Sequence, residues 1–224
     1  MQINGLEREH GASARRIVGM ALLVGLLAGA CAGAAEAPPA DGREPIVGGP
    51  CEGCEAVFEG LPEELGPRAR IAPEDEPGEP MRIEGRVLDR DGEPAPGVIV
   101  YAYHTDRRGI YPKDEDLRGQ AAYRHGRLRA WVETDAEGRY RFDTIRPGSY
   151  PGRDIPAHVH LHVVEPGCCT YWIDSVRFRD DPRVSDDARP SPDARGGPGL
   201  VDPGREDGVW IAERDIRLPE RGSR

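Results

Sequence analysis

From Met81 onward the chain alternates apolar and polar residues with a period of two, the mark of half-buried β-strands, and turn residues interrupt it at short intervals. MRIEGRVL is followed by the turn DRDGEP. GVIVYAYHT then sets Val98, Val100 and Ala102 on one face against Ile99, Tyr101 and Tyr103 on the other. LRAWVET, the turn DAEG and RYRFDTI give a second hairpin signal, with Asp and Gly where a tight turn needs them. After the loop RPGSYPGRDIP, alternation resumes in PAHVHLHVVEP, and TYWIDSVRF and VWIAERDIRL read as further strands on either side of a long polar excursion. No stretch has helical periodicity and none repeats. The pattern predicts an all-β fold, a β-sandwich with long loops, over residues 81–220.

The segments in front read differently. Residues 17–35 are apolar, follow Arg15 and Arg16 and end in small residues, so 1–35 is expected to be a secretory signal, with Cys31 a possible lipoprotein-type anchor and the membrane's only point of contact. Residues 36–80, rich in Pro, Gly and Glu around the patch CEGCEAVFEGLP, are expected to be an arm or linker. The protein is therefore expected to be exported: periplasmic, secreted or lipid-anchored.

Export changes the meaning of the cysteines. Cys51, Cys54, Cys168 and Cys169 are expected to form structural disulfides, with three full pairings open. A bridge from the 51/54 pair to the 168/169 pair would pin the arm to the core. Cys51-x-x-Cys54 also has the spacing of half a zinc site or a redox motif, though no second Cys-x-x-Cys accompanies it. The net charge of -10 argues against a nucleic-acid partner, and the basic residues include a single lysine, Lys113.

The candidate chemistry lies in HVHLH. Residues two apart on a strand share a face, so His158, His160 and His162 point one way, and two adjacent imidazoles can reach one ion. His162 is expected to be structural or to support the other two. Tyr150 stands just upstream in GSYP, and Tyr111 lies in YHTDRRGIYP. The tryptophans Trp131, Trp172 and Trp210 are expected to pack in the core, and Asp106 and Asp174 to be solvated.

The stretch GRVLDRDGEPAPGVIVYAYHTDRRGIYP, with TDAEGRYRFDTIRPGSYP and IPAHVHLHV, resembles the catalytic domain of the intradiol ring-cleavage dioxygenases of the protocatechuate 3,4- and catechol 1,2-dioxygenase kind, over about residues 82–182. The resemblance implies a non-haem Fe(III) held by Tyr111, Tyr150, His158 and His160. A hard ferric ion favours phenolate oxygen, and coordination lowers a phenol's pKa enough to hold it as tyrosinate. The resemblance further implies that Tyr150 is both ligand and base, and that a catechol-like substrate and O₂ yield a muconate-type diacid without an organic cofactor. The sequence departs from the family's pattern in the loop from Tyr150 to His158, which is shorter than in the better-known enzymes. Three residues before the first histidine the better-known enzymes carry arginine, where this chain has Ile155, and Arg153 is the expected substitute. A carboxypeptidase-regulatory or transthyretin-like binding module shares the sandwich features but not Tyr111 or the His-x-His pair. An iron- or catechol-binding protein without turnover is the third reading.

Overall fold

The computed structural model describes residues 43–49, 51, 53–189 and 194–219; residues 1–35, with Cys31, and the first part of the arm lie outside the described residues. Eleven strands form two sheets. They are β1 (Arg68–Arg70), β2 (Pro80–Leu88), β3 (Ile99–His104), β4 (Arg129–Glu133), β5 (Arg139–Ile145), β6 (His158–Glu165), β7 (Cys169–Phe178), β8 (Leu200–Val201), β9 (Gly204–Glu206), β10 (Val209–Glu213) and β11 (Ile216–Arg217). One sheet runs β1-β5-β2-β10-β9, with β11 also on β2, and the other runs β4-β3-β6-β7-β8. No α-helix occurs among the described residues, only short 3₁₀ turns such as Cys54–Val57 and Ala121–Arg124.

The alternation explains how the sheets meet. Ile83 and Val87 of β2 and Tyr140 and Phe142 of β5 pack in one cluster with Val100 and Ala102 of β3, Val159, Leu161 and Val163 of β6, and Tyr171, Ile173 and Val176 of β7. This shared inner face makes the expected all-β sandwich. Phe142 is fully buried there. Phe142→Ala should cost about 3–5 kcal/mol through lost burial and a residual cavity, a large share of the 5–15 kcal/mol that typically holds a domain together. A urea midpoint near that of the unaltered chain would show that the sheets do not share this core.

The inner face also accommodates a histidine. His104, fully buried at the end of β3, donates from Nδ1 to the Thr105 carbonyl (2.7 Å) and accepts at Nε2 from the Thr144 hydroxyl of β5 (2.6 Å). Burial pushes its imidazole from 6.5 down to about 4. On acidification the unfolded chain takes up a proton near its ordinary pKa that the folded chain refuses until much lower pH, so stability falls as pH drops from about 6.5 to about 4 and levels off below. A shift of this size corresponds to about 3 kcal/mol. His104→Asn should flatten the fall in urea midpoint across that window in the metal-free protein, and an unchanged slope would refute the assignment.

The arm differs from the expected linker. Before Met81, β1 already pairs with β5, the Cys54–Val57 turn packs on the second sheet, and Thr170 of β7 donates to the Pro45 carbonyl (2.7 Å) while its own carbonyl accepts from Val47 (2.9 Å). The disulfides do not join arm to core. Cys51 pairs with Cys54 and Cys168 with its neighbour Cys169. Hydrogen bonds secure the arm instead, among them Trp131 Nε1 to the Val57 carbonyl (2.7 Å) and Glu59 accepting from the amides of Ala121 and Ala122 (3.1 and 2.6 Å).

Nor do the tryptophans lie in the core. Trp131 and Trp172 stand half-buried on the outer face of the second sheet, Trp172 beneath the Arg195 guanidinium, and Trp210 borders the inner cluster between Arg146 and Arg205. Each has one side that the sheets cannot cover, and an arginine or the arm covers it instead.

Candidate metal centre

The period of two that sends Leu161 and Val163 inward sends His158, His160 and His162 to the opposite face of the second sheet. Cross-strand register then gathers aromatic rings there. Tyr101 lies opposite His162 and Tyr103 opposite His160, and the Tyr103 ring stacks on His160 at 4.6 Å and on His125 at 3.6 Å. This outer face, the arm turn and the loop from Pro112 to Arg127 bound an open cleft of about 660 Å³, a size that admits a small molecule.

Two loops deliver the tyrosines to it. Asp106 organises the first. Its carboxylate accepts from the amides of Arg108 (2.8 Å) and Ile110 (3.0 Å), and its carbonyl accepts from Gly109 (3.0 Å) and, across the gap, from Gly148 (2.9 Å). Far from being solvated, Asp106 is 4% exposed. Burial by itself would raise its carboxyl, but the hydrogen bonds from Ile110 and Arg108 hold it below the ordinary carboxylate range. The result sets Tyr111 against Tyr150, with their hydroxyls 2.5 Å apart.

Asp181 organises the second loop, and sequence reasoning missed it because it lies in the polar excursion after β7. It is 6% exposed, and its carboxylate accepts from the Ala157 amide (2.9 Å) next to His158 and from the Ser149 hydroxyl (3.2 Å) next to Tyr150. One carboxylate thus fixes both ends of the loop between Tyr150 and His158. Asp181→Ala should cost about 1–3 kcal/mol by leaving the buried Ala157 amide unpaired and should loosen Tyr150. A urea midpoint matching that of the parent chain would show that the link does not matter.

Four side-chain atoms converge. Tyr150 Oη lies 3.2 Å from His158 Nε2 and 3.4 Å from His160 Nε2, the two nitrogens are 3.0 Å apart, and Tyr111 Oη completes the group. His158 Nδ1 donates to the Pro156 carbonyl (2.7 Å), which leaves its Nε2 as the lone-pair nitrogen. His160 Nδ1 faces the Ser175 hydroxyl at 3.4 Å. Burial, then the neighbouring imidazoles, hold His160 down at about 3, and burial also lowers His158. Two neutral imidazoles presenting lone pairs to the same point, with two phenols beside them, form a donor set that suits a hard-to-borderline cation.

Around this point the structure redistributes the charges expected from sequence. Arg153 is exposed and is not among the residues lining the cleft, because the turn after Tyr150 carries it outward. Ile155 does line the cleft, 37% exposed, and so puts an apolar side chain at its rim. Arg177 lines the cleft from β7, where it lies directly opposite His158, and its charge contributes to the lowered imidazole there. Arg124 and Asp174 line it too, so Asp174 belongs to the cleft wall and not to a solvated loop. A strand residue becomes a neighbour of His158 only through register, so Arg177 carried no signal in the sequence.

The protein is thus an all-β sandwich with a two-tyrosine, two-histidine cluster on one outer face, a donor set suited to a metal ion. The family model Dioxygenase_C, described as Dioxygenase, matches residues 63–201. The chain belongs to the intradiol ring-cleavage dioxygenase family. It is 31% identical over 110 residues to the protocatechuate 3,4-dioxygenase beta chain of Burkholderia cepacia, covering 47% of each chain. It is also 31% identical over 115 residues to catechol 1,2-dioxygenase 2 of Acinetobacter lwoffii, covering 44% of this chain and 40% of that one. The matched region thus spans less than half the length of these relatives. Among solved structures, the dioxygenase domain of a dioxygenase carbohydrate-binding protein fusion from the cellulolytic Streptomyces sp. SirexAA-E superposes with a TM-score of 0.53 at 25% identity, over 79% of this chain and 97% of that one.

Proposed function

We propose that this protein is a non-haem Fe(III)-dependent dioxygenase that cleaves a catechol-type ring between its two hydroxyl-bearing carbons to a muconate-type diacid, using O₂. The observation that carries the reading is the convergence of Tyr111 Oη, Tyr150 Oη, His158 Nε2 and His160 Nε2, with spacings of 2.5 to 3.4 Å. These four side chains would hold the iron. Bound there, ferric iron supplies Lewis acidity that lowers the pKa of phenols and makes an electron-rich ring reactive toward O₂.

The chain's own groups do the rest. His158 and His160 stay neutral, so their lone pairs remain available near neutral pH. Tyr150 Oη touches each of the other three donor groups, which makes it the group best placed to take a proton from a substrate hydroxyl. Asp181 and Asp106 hold the two tyrosine loops in register, and Ile155 and Trp172 offer apolar walls to an aromatic ring. Of the two arginines that line the cleft, Arg124 and Arg177, Arg177 lies opposite His158 and is the one placed for the electrostatic role expected of Arg153.

The test is the visible spectrum and iron content of the purified chain before and after adding catechol under nitrogen, followed by O₂ uptake on catechol, protocatechuate and hydroxyquinol. A tyrosinate-to-iron charge-transfer colour, about one iron per chain and O₂ uptake on at least one of the three are expected. A colourless chain that stays iron-free after reconstitution points to the binding module. A coloured, catechol-responsive chain without uptake points to sequestration, the reading that Ile155 favours by replacing the family arginine. The proposal includes export, supported by the apolar run at residues 17–35 behind Arg15 and Arg16.

A further inference from the structure

The iron reading does not use the Cys51-x-x-Cys54 motif, yet the motif sits against the same cleft. Gly53, with φ at +87°, turns the chain into the Cys54–Val57 turn so closely over His125 that a Cβ there would strike the imidazole. The turn carries both sulfurs to the second sheet, where Cys51 Sγ, Cys54 Sγ and a ring nitrogen of His162 all lie within 4.8 Å of one another. Ligands of one tetrahedral zinc are roughly 3.3–3.8 Å apart, so a spread of this size closes with a small movement. Cys54 is fully buried, whereas Cys51 lines the cleft and can be reached from it.

A second observation points to the same place. His162 is only 3% exposed and its Nδ1 has no hydrogen-bond partner. Buried imidazole nitrogens are ordinarily paired, because leaving one bare forfeits its hydration without return. The other cysteine pair also has a third donor within 4.8 Å, Glu165, but that carboxylate is already engaged by Arg90 and by the Tyr171 hydroxyl, whereas the His162 Nδ1 has no partner.

We propose that the Cys51–Cys54 disulfide is reducible and that its two thiolates, once freed, form with His162 a second metal site for a thiophilic divalent cation of the zinc class. In the reduction, a thiolate of a small dithiol attacks the cleft-facing Cys51 sulfur and Cys54 leaves as a thiolate. The second thiol of the reductant then resolves the mixed disulfide and frees Cys51, so that two electrons pass to the protein and the reductant ends as its own disulfide. Cation binding releases the protons of the two cysteine thiols. Two thiolates and one imidazole leave a fourth position for water, as in open zinc sites.

The test uses Co(II) as a probe, because thiolate-to-cobalt charge transfer marks sulfur ligation and is absent from a site of imidazole and phenol. The full chain carries Cys31→Ser, so that the four cysteines described above are its only thiols. After dithiol reduction and desalting, the band should saturate at about one cobalt per chain. It should be missing from the unreduced chain, lost in Cys51→Ser and kept in the Cys168→Ser/Cys169→Ser double variant. His162→Phe, which preserves the ring, should weaken cobalt binding at least about tenfold. A reduced chain that stays folded by circular dichroism but shows no band, a band that survives Cys51→Ser, or affinity unchanged in His162→Phe overturns the proposal. Tyr111→Phe should leave the band intact, so failure of the iron reading and failure of this one are separable.

Discussion

His160→Ala should strip the protein of iron and of turnover together. His160 Nε2 faces His158 Nε2 and Tyr150 Oη, and the Tyr103 ring packs against the imidazole. Its replacement removes a neutral donor from the middle of the group and leaves a gap beside Tyr103 that admits water. Changing an outer partner of a metal ligand typically costs 10–100-fold in affinity or activity, so loss of a ligand should cost at least about 100-fold in both. Tyr111→Phe, which deletes one oxygen and keeps the ring, should behave similarly and bleach the charge-transfer colour. Iron content, the visible spectrum and O₂ uptake read the three effects separately. Full turnover in Tyr111→Phe would remove that tyrosine from the ligand set, and one iron per chain retained in His160→Ala would remove the histidine.

Gly109→Ala should damage the site from a position that touches none of the four donor atoms. Gly109 is buried with φ at +80°, a conformation that costs an L-residue about 1–2 kcal/mol. A methyl group there would also land on the Ser149 carbonyl, and Ser149 immediately precedes Tyr150. The two tyrosine loops would have to part, and Tyr111 and Tyr150 with them. Iron affinity should fall at least about tenfold, as for other changes that misplace a ligand, while the sandwich core, which lies on the opposite face of the sheet, keeps its β-rich circular dichroism. Arg107→Ala in the same turn is the control. Its side chain is exposed, so its loss should leave iron binding within about twofold, as expected of surface substitutions. Unaltered iron affinity in Gly109→Ala would mean that the contact between the loops does not set the tyrosine spacing.

Much of this architecture is legible in the sequence. The alternation of Val98, Val100 and Ala102 against Ile99, Tyr101 and Tyr103 separated the two faces of β3 correctly, because side-chain direction in a strand is a local property of the backbone. The same rule put His158 and His160 side by side, and the spacing of the family motifs picked out Tyr111 and Tyr150, which the fold brings to them.

What the sequence by itself determined was therefore the strand pattern, the outward histidine pair and the candidate donor set, since each follows from local periodicity or from short motifs. Only the tertiary structure decided which distant residues became neighbours. Register put Arg177 beside His158 and left Arg153 outside, a loop after β7 returned Asp181 to tie Ala157 to Ser149, and Asp106 went from an expected surface charge to the buried hub of a turn. The disulfides closed within each cysteine pair, and it was the arm's own turn that carried Cys51 and Cys54 to His162. Contacts of this kind depend on strand order, register and loop return, which are set by burying the whole core at once and not by any short stretch of sequence.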